Sequence, residues 1–186
     1  MSPDEERAPT WSPLQRRLHW LVAGLVLGQY LLQDAMRSAG ETVARGETVS
    51  AGEFLVTTLH TWGGAAVAAL VVCRLVLRRR APVPVAAGGL GAGAARLVRW
   101  HHLALYAALV AMVLSGALHY YAGVEAAARW HGIGKWVLAA LVAVHVGGAL
   151  RHALRPGDTV LQRMWSGGER RSHSGAPSAS RKPPAP

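Results

Sequence analysis

Four long apolar segments constrain the fold of this chain more than any other feature of its sequence. They run over about residues 14–32, 54–77, 97–121 and 130–154 of the 186. Each is close to the roughly 20 residues that a helix needs to cross the hydrocarbon core of a bilayer. A soluble helical bundle is the alternative, but its helices would carry a polar face, and residues 103–118 have almost none. We therefore predict an all-α integral membrane protein, a bundle of four antiparallel helices.

The basic residues are concentrated on one side of this four-span arrangement. The N-terminus, the segment between spans two and three and the C-terminus together hold 16 of the 20 lysines and arginines, against five acidic residues. The opposite side holds four basic and five acidic residues. The positive-inside rule then predicts that both termini are cytoplasmic. Because topology accounts for the whole net charge of +10, we expect membrane lipid and no nucleic acid as a partner.

The segments outside the spans are polar and are predicted to be loops or tails. Residues 1–12 form a polar N-terminus, residues 33–52 an outside loop, and residues 81–95 a flexible inside linker with prolines and glycines. Residues 166–186 are rich in Ser, Gly, Pro and Arg, a composition typical of a disordered basic tail. The sequence therefore predicts one four-helix domain over residues 13–165, flanked by these two termini.

Two histidines of the fourth span, His131 and His145, are separated by almost four helical turns. At ~100° and ~1.5 Å per residue, they share one face with an offset of about 40° and lie about 21 Å apart along the helix axis. Ionisable groups inside a membrane are costly, so a functional role is the default interpretation. This spacing favours one metal centre near each side of the bilayer.

Depth within the spans supplies each of these histidines with a partner. His19 lies at about the inner depth of His145, and His60 at about the outer depth of His131. Haem with axial histidines from two opposing helices suits such pairs, whereas zinc needs four clustered ligands. Cys73 is the only cysteine, which excludes covalent attachment through a C-x-x-C-H motif. We therefore predict two non-covalent haem b groups with these four histidines as axial ligands of the iron.

The other histidines of the spans have competing interpretations. His152 lies one heptad beyond the inner ligand, too close for a further haem, and is a candidate for proton exchange with a quinone at the inner surface. Contact with interfacial water is the alternative for His152, and it is the favoured interpretation for His101. His119, near the outer end of the third span, competes with the predicted outer ligands.

Pairs of glycines follow three of the predicted ligands in the sequence: Gly24 and Gly28, Gly63 and Gly64, Gly147 and Gly148. Because glycine has no side chain, these positions let a porphyrin ring approach the helix backbone closely. Small residues also mediate ordinary helix packing in membranes. The sequence leaves both interpretations of the glycines open.

Several motifs of the sequence resemble those of bacterial cytochrome b561. They are PLQRRLHW, LHTWGG, VVCRLVLRRR, HLALY, VHVGGALRHAL and DTVLQRM. The resemblance covers about residues 12–164, and it extends to the superoxide oxidase branch, whose members have four helices and two b-type haems. It implies the same axial pairs, His19 with His145 and His60 with His131. It also implies a multi-pass protein of the bacterial inner membrane.

The resemblance implies an electron carrier that exchanges electrons with ubiquinone or another quinone, with His102 and His152 at the quinone end. The outside donor is superoxide if the chain is a superoxide:quinone oxidoreductase, and Lys135 and Arg129 would then attract the anion. The acidic outside loop instead favours a redox protein, with the chain as a non-catalytic cytochrome b subunit docked to a dehydrogenase or a soluble cytochrome. A haem-free membrane protein, whose histidines bind lipid, protons or a metal, is the third alternative.

Overall fold

The computed structural model describes residues 11–80, 91–154 and 160–165. Most of the predicted polar N-terminus, most of the predicted 81–95 linker and the whole predicted tail after residue 165 lie outside these residues. The described residues form six helices: α1 (Pro13–Leu31), α2 (Gln33–Ala44), α3 (Ala51–Arg80), α4 (Ala92–Ala122), α5 (Glu125–Ala153) and α6 (Val160–Trp165). Within these ranges no strand is found, and the all-α prediction is confirmed.

The helix ends follow local sequence signals. Ser12 and Gln15 form a capping box at the start of α1, where Gln15 N–H donates to Ser12 Oγ (3.2 Å) and Ser12 N–H donates to Gln15 Oε1 (3.0 Å). Pro13 occupies the first helical position, where its missing N–H costs nothing. Gly123 ends α4 in the left-handed conformation, with φ of 64°, and its N–H donates to the His119 carbonyl. Only Val124 then separates Gly123 from α5, so the predicted short outer connection is a tight turn.

Three helices are long and apolar enough to cross a membrane: α3, α4 and α5. Each of them extends beyond its predicted apolar segment, because charged first or last turns continue the helix into the interface. The α5 helix, for example, begins at Glu125, five residues before the predicted start of the fourth span. The shorter α1, with Arg16 and Arg17 in its first turns, does not reach the same length and hydropathy. Among the described residues, three helices are therefore candidates for membrane spans, and the fourth span stays a prediction.

The long helices pack in the order α1, α3, α4, α5. The α1 helix lies antiparallel to α3, since Arg74 of α3 donates to the Gln15 carbonyl near the start of α1 (3.2 Å), and the Gln29 side chain near the end of α1 packs against Gly63. Val22 of α1 and two α3 valines form the buried cluster between these helices. Most other apolar side chains point outward, as expected for helices surrounded by lipid.

The connection between the first two predicted spans is not the loop that its polarity predicted. Residues 33–44 form α2, which places the side chains of Ala39 and Thr42 against α3 and buries them. Thr42 Oγ1 donates to Glu53 Oε1 (2.6 Å), while Ser50 donates from its N–H and Oγ to Glu53 Oε2 (2.9 and 2.8 Å). Glu53 thus caps α3 and fastens α2 to it. The hydropathy pattern missed α2 because only one narrow face of this helix is buried.

Candidate functional site

Two pairs of histidine rings lie inside the helix bundle. His19 of α1 is beside His145 of α5, with ring centroids 6.0 Å apart and ring planes at 57°. His60 of α3 is beside His131 of α5, with centroids 6.2 Å apart and planes at 73°. All four side chains are half-buried. The structure therefore brings together, in the predicted pairs, the four residues that sequence reasoning selected as ligands.

The separation within each pair suits one metal ion between two imidazole nitrogens. Two nitrogen–metal bonds of about 2 Å each, plus about 1.1 Å from each nitrogen to its ring centre, place trans imidazole centroids about 6 Å apart. Direct ring stacking without a metal would bring aromatic centroids to about 4.5–7 Å as well, so the distance alone does not select a metal. Each pair consists of two imidazoles, which bind a metal in their neutral form, inside an apolar bundle. Two such histidines are the usual ligands of a b-type haem.

The helices that carry each pair also suit a planar ring between them. Among the described residues, α5 packs closely on α4, and its backbone does not pack closely on α1 or on α3. Nevertheless, the histidine side chains of α5 reach those of α1 and α3. A ligand between opposing helices, held by one histidine from each, is the arrangement by which helical bundles bind haem. The residues present therefore fit haem.

The inner pair is surrounded by two further histidines of α4. The ring centroid of His102 lies 5.2 Å from that of His145 with the planes at 88°, and His101 lies 6.0 Å from His145 with the planes nearly parallel at 13°. His102 Nδ1–H donates to the Val98 carbonyl (2.7 Å), which leaves Nε2 for another partner. His101 Nε2 is buried and has no hydrogen-bond partner among the described residues.

His101 differs most from its sequence interpretation. Sequence reasoning favoured a wetted interfacial residue, but the ring is half-buried in the inner histidine cluster. Two consecutive residues of a helix point about 100° apart, and both rings reach His145 because it faces the stretch of α4 between them. No sequence periodicity indicates this shared contact, since it depends on how α4 is rotated against α5.

His119 lies close enough to His131 for its charge to act on that ring, whereas His152 lies two turns beyond His145 on α5. His119 is exposed near the outer end of α4 and makes no ring contact with the outer pair in the described part of the chain. Its competition for the outer site therefore stays a prediction. His152 is half-buried, two turns beyond the inner pair towards the C-terminal end of α5.

Lys135 lies one turn along α5 from the outer pair and connects α5 to the end of α1. Its backbone carbonyl accepts a hydrogen bond from the Tyr30 hydroxyl, and its Nζ donates to Gln33 Oε1 (3.4 Å). The same Nζ is 5.4 Å from the centre of the Trp136 ring. Sequence reasoning named Lys135 but missed Tyr30 and Gln33, although a polar cluster ending an apolar segment is a usable signal for such an anchor.

The glycines divide into two groups. A Cβ at Gly63 would meet Gln29, so this residue serves helix packing. A Cβ would meet no atom within 4 Å at the five other glycines named from the sequence: Gly24, Gly28, Gly64, Gly147 and Gly148. Ordinary packing against a neighbouring helix therefore does not explain these five glycines. Close approach of a porphyrin ring to them stays a prediction.

A comparison with known protein families agrees with these features. The model of the prokaryotic cytochrome b561 family matches residues 10–167, which include all six helices. A comparison with curated proteins gave no match. The family match implies haem b binding and electron transfer in a prokaryotic membrane, in agreement with the apolar helices and the paired histidines. The chain belongs to the prokaryotic cytochrome b561 family, and it is a membrane cytochrome b that transfers electrons.

Proposed function

We propose that this chain binds two b-type haems, one between His19 and His145 and one between His60 and His131, and carries electrons across the membrane to quinone. The observation that carries this proposal is that two histidine pairs, each joining α5 to another helix, lie at two levels of one apolar bundle, with ring centroids 6.0 and 6.2 Å apart. The second pair is important, because a single pair would support one haem and no path between the two surfaces.

Each bound haem supplies a reversible one-electron carrier, and the protein controls what else can react. His19 with His145, and His60 with His131, would hold these haems, and a haem held by two histidines would supply one-electron transfer rather than oxygen binding. The α5 helix supplies one ligand to each pair, so it fixes the distance between the two centres at about 21 Å of helix rise. Since α5 is continuous from Glu125 to Ala153, this spacing does not depend on a loop.

The inner end of the bundle is the proposed quinone end. Reduction of a quinone to a quinol takes two electrons and two protons, so groups that exchange protons near neutral pH are needed there. His102 Nδ1–H donates to the Val98 carbonyl (2.7 Å), so Nε2 of the neutral ring can take up a proton from water and, once protonated, donate to a quinone oxygen. His152, two turns further along α5 and half-buried, is the second candidate for moving protons from the cytoplasmic side.

Superoxide is the proposed outside donor. Two superoxide anions each lose one electron and leave as dioxygen, and one quinone takes both electrons with two protons to become a quinol. Arg129 is exposed in the second turn of α5, while Lys135 lies one turn beyond His131. Positive side chains at this end raise the local concentration of an anion.

The acidic outside segment favours a second candidate function, in which a basic redox protein is the donor. However, two of its carboxylates already have basic partners: Glu47 pairs with Arg45 (2.8 Å) and Asp34 with Arg37 (4.0 Å). The hydrogen bond to Glu47 raises the pKa of Arg45, so this partner stays charged. These local pairs leave fewer carboxylates on this segment for a basic protein to bind, and superoxide is the donor that we favour.

Two measurements on the purified single chain test the proposal. Haem quantification with a reduced-minus-oxidised spectrum is expected to give two b-type haems per chain. Addition of superoxide with a soluble quinone is then expected to give rapid, quinone-dependent superoxide consumption. One haem or none would overturn the two-centre proposal. Two haems without superoxide activity would favour the cytochrome subunit that needs a redox partner.

A further inference from the structure

One turn of α4 lies against the edge of the His131 ring that carries Nδ1 and Cε1. His131 Nδ1 lies 2.9 Å from the Met112 carbonyl oxygen and 3.2 Å from Ser115 Oγ. A Cβ added at Gly116 would lie 3.1 Å from His131 Cε1 and 3.2 Å from Nδ1. Contacts this short mean that the imidazole lies directly against the α4 backbone, which no larger residue at position 116 allows without displacement.

These contacts determine which ring nitrogen carries the proton. A carbonyl oxygen can only accept a hydrogen bond, so the contact with Met112 requires Nδ1–H in the neutral imidazole. The Ser115 hydroxyl hydrogen is directed to the Ala111 carbonyl (2.7 Å), which leaves Ser115 Oγ able to accept from Nδ1–H as well. With the proton on Nδ1, the lone pair of His131 is on Nε2, the nitrogen available to bind a metal.

The partner ring has no comparable anchor. His60 Nδ1 is buried without a hydrogen-bond partner among the described residues. The protein therefore fixes one member of the outer pair through α4 and leaves the other to be oriented by what it binds. Among the described residues, the hydrogen bonds that can tune the outer pair are therefore those of His131.

We propose that Ser115 and Gly116 are positioning residues, which set the orientation and the electron-donating strength of His131 as an axial ligand. This inference rests on the proposed function, in which His131 binds the outer haem. A hydrogen bond from Nδ1–H to an oxygen makes the imidazole a stronger donor to its metal. A stronger donor stabilises the oxidised iron, so these contacts lower the reduction potential of the outer haem and leave the inner one unaffected.

The test is a redox titration of the full-length protein with both haems, comparing wild type with Ser115→Ala and Gly116→Ala. The outer step is identified in a His145→Ala variant, which retains the outer pair. Both variants are expected to raise the potential of the outer haem and to leave the inner step unchanged. Gly116→Ala, which displaces the ring from the Met112 carbonyl, is also expected to weaken retention of the outer haem by about 10- to 100-fold.

Two further variants separate positioning from general packing. Ser115→Thr keeps the hydroxyl and is expected to restore the wild-type potential. Gly134→Ala presses on the Met112 side chain, 2.7 Å from the added Cβ, without touching the His131 ring, and it is expected to leave the potential unchanged.

A wild-type outer potential in both Ser115→Ala and Gly116→Ala overturns the positioning role. If Gly116→Ala does not fold, Ser115→Ala with its Thr counterpart decides the question. Absence of an outer haem from wild type overturns the proposed function instead.

Discussion

At the scale of single residues, His145 offers the sharpest test of the pairing. It is the α5 member of the inner pair, and His131, the α5 member of the outer pair, lies almost four turns away. We therefore expect His145→Ala to lose the inner haem and keep the outer one, which halves the haem content per chain. Haem extraction with protein quantification measures this change. Retention of both haems would contradict the pairing, and loss of both would show that the two sites fold together.

His119→Ala is the matched control for a histidine in the same membrane region. Its side chain is exposed and makes no ring contact with the outer pair within the described residues. We expect the variant to keep two haems with unchanged spectra, because neither proposed iron loses a ligand. Haem content and the reduced-minus-oxidised spectrum are the measurements. Loss of one haem would assign His119 to the outer site in place of His60 or His131.

The sequence predicted residue pairs well and residue surroundings poorly. The depth of each histidine within its span paired His19 with His145 and His60 with His131, because the rise per residue of a helix gives the height of each residue directly. The contacts of His101 and Ser115 were not predicted, since they depend on the rotation of α4 about its axis. With apolar residues on all sides of a membrane helix, hydropathy carries little information about that rotation.

At the scale of elements, the outside helix α2 tests whether one hydrogen bond fastens it to the bundle. Thr42 is buried and donates to Glu53 of α3 (2.6 Å). Thr42→Val keeps the shape of the side chain and removes this bond, so α2 is expected to open more often. Faster hydrogen exchange in residues 33–44, with unchanged haem spectra, is the expected result.

Thr58→Val is the control for this exchange experiment. The Thr58 hydroxyl donates to the Phe54 carbonyl within α3 (2.8 Å) and makes no hydrogen bond to α2. We expect exchange in residues 33–44 to stay at the wild-type rate in this variant. Equal rates in Thr42→Val and wild type would mean that packing of Ala39 and its neighbours, rather than the Glu53 bond, holds α2.

The helices themselves were predictable to different degrees. The length of the apolar segments identified α3, α4 and α5. Each helix also continues into charged residues at its ends, and a search for apolar segments does not include these residues. The α2 helix was missed because its helical character comes from amphipathic packing, and the short α6 was missed as well. In α6, the Met164 and Trp165 carbonyls accept hydrogen bonds from Trp20 Nε1 (3.1 Å) and Arg16 Nη1 (3.3 Å) of α1, contacts that have no local sequence signal.

At the scale of the whole molecule, the contacts of α1 support a fourth span. Gln15 meets Arg74 near one end of α1, and Gln29 meets Gly63 near the other, so α1 runs beside α3 over nearly its full length. Its 19 residues extend about 28 Å, close to the ~30 Å hydrocarbon core. Arg16 and Arg17 lie at its inner end, where long basic side chains reach the interface.

This geometry predicts the topology of the chain, and cysteine labelling in a Cys73→Ser background measures it. If α1 crosses the membrane, residue 8 lies in the cytoplasm, and Ser38, which is exposed on α2, lies outside. A membrane-impermeant maleimide is expected to label Ser38→Cys in intact cells and Ala8→Cys only after permeabilisation. The Cys73→Ser background without an added cysteine controls for other reactions.

Labelling of both positions in intact cells would mean that α1 does not cross the membrane. His19 would then not reach the inner depth of His145, and the inner haem would lose the ligand on which two-centre electron transfer depends.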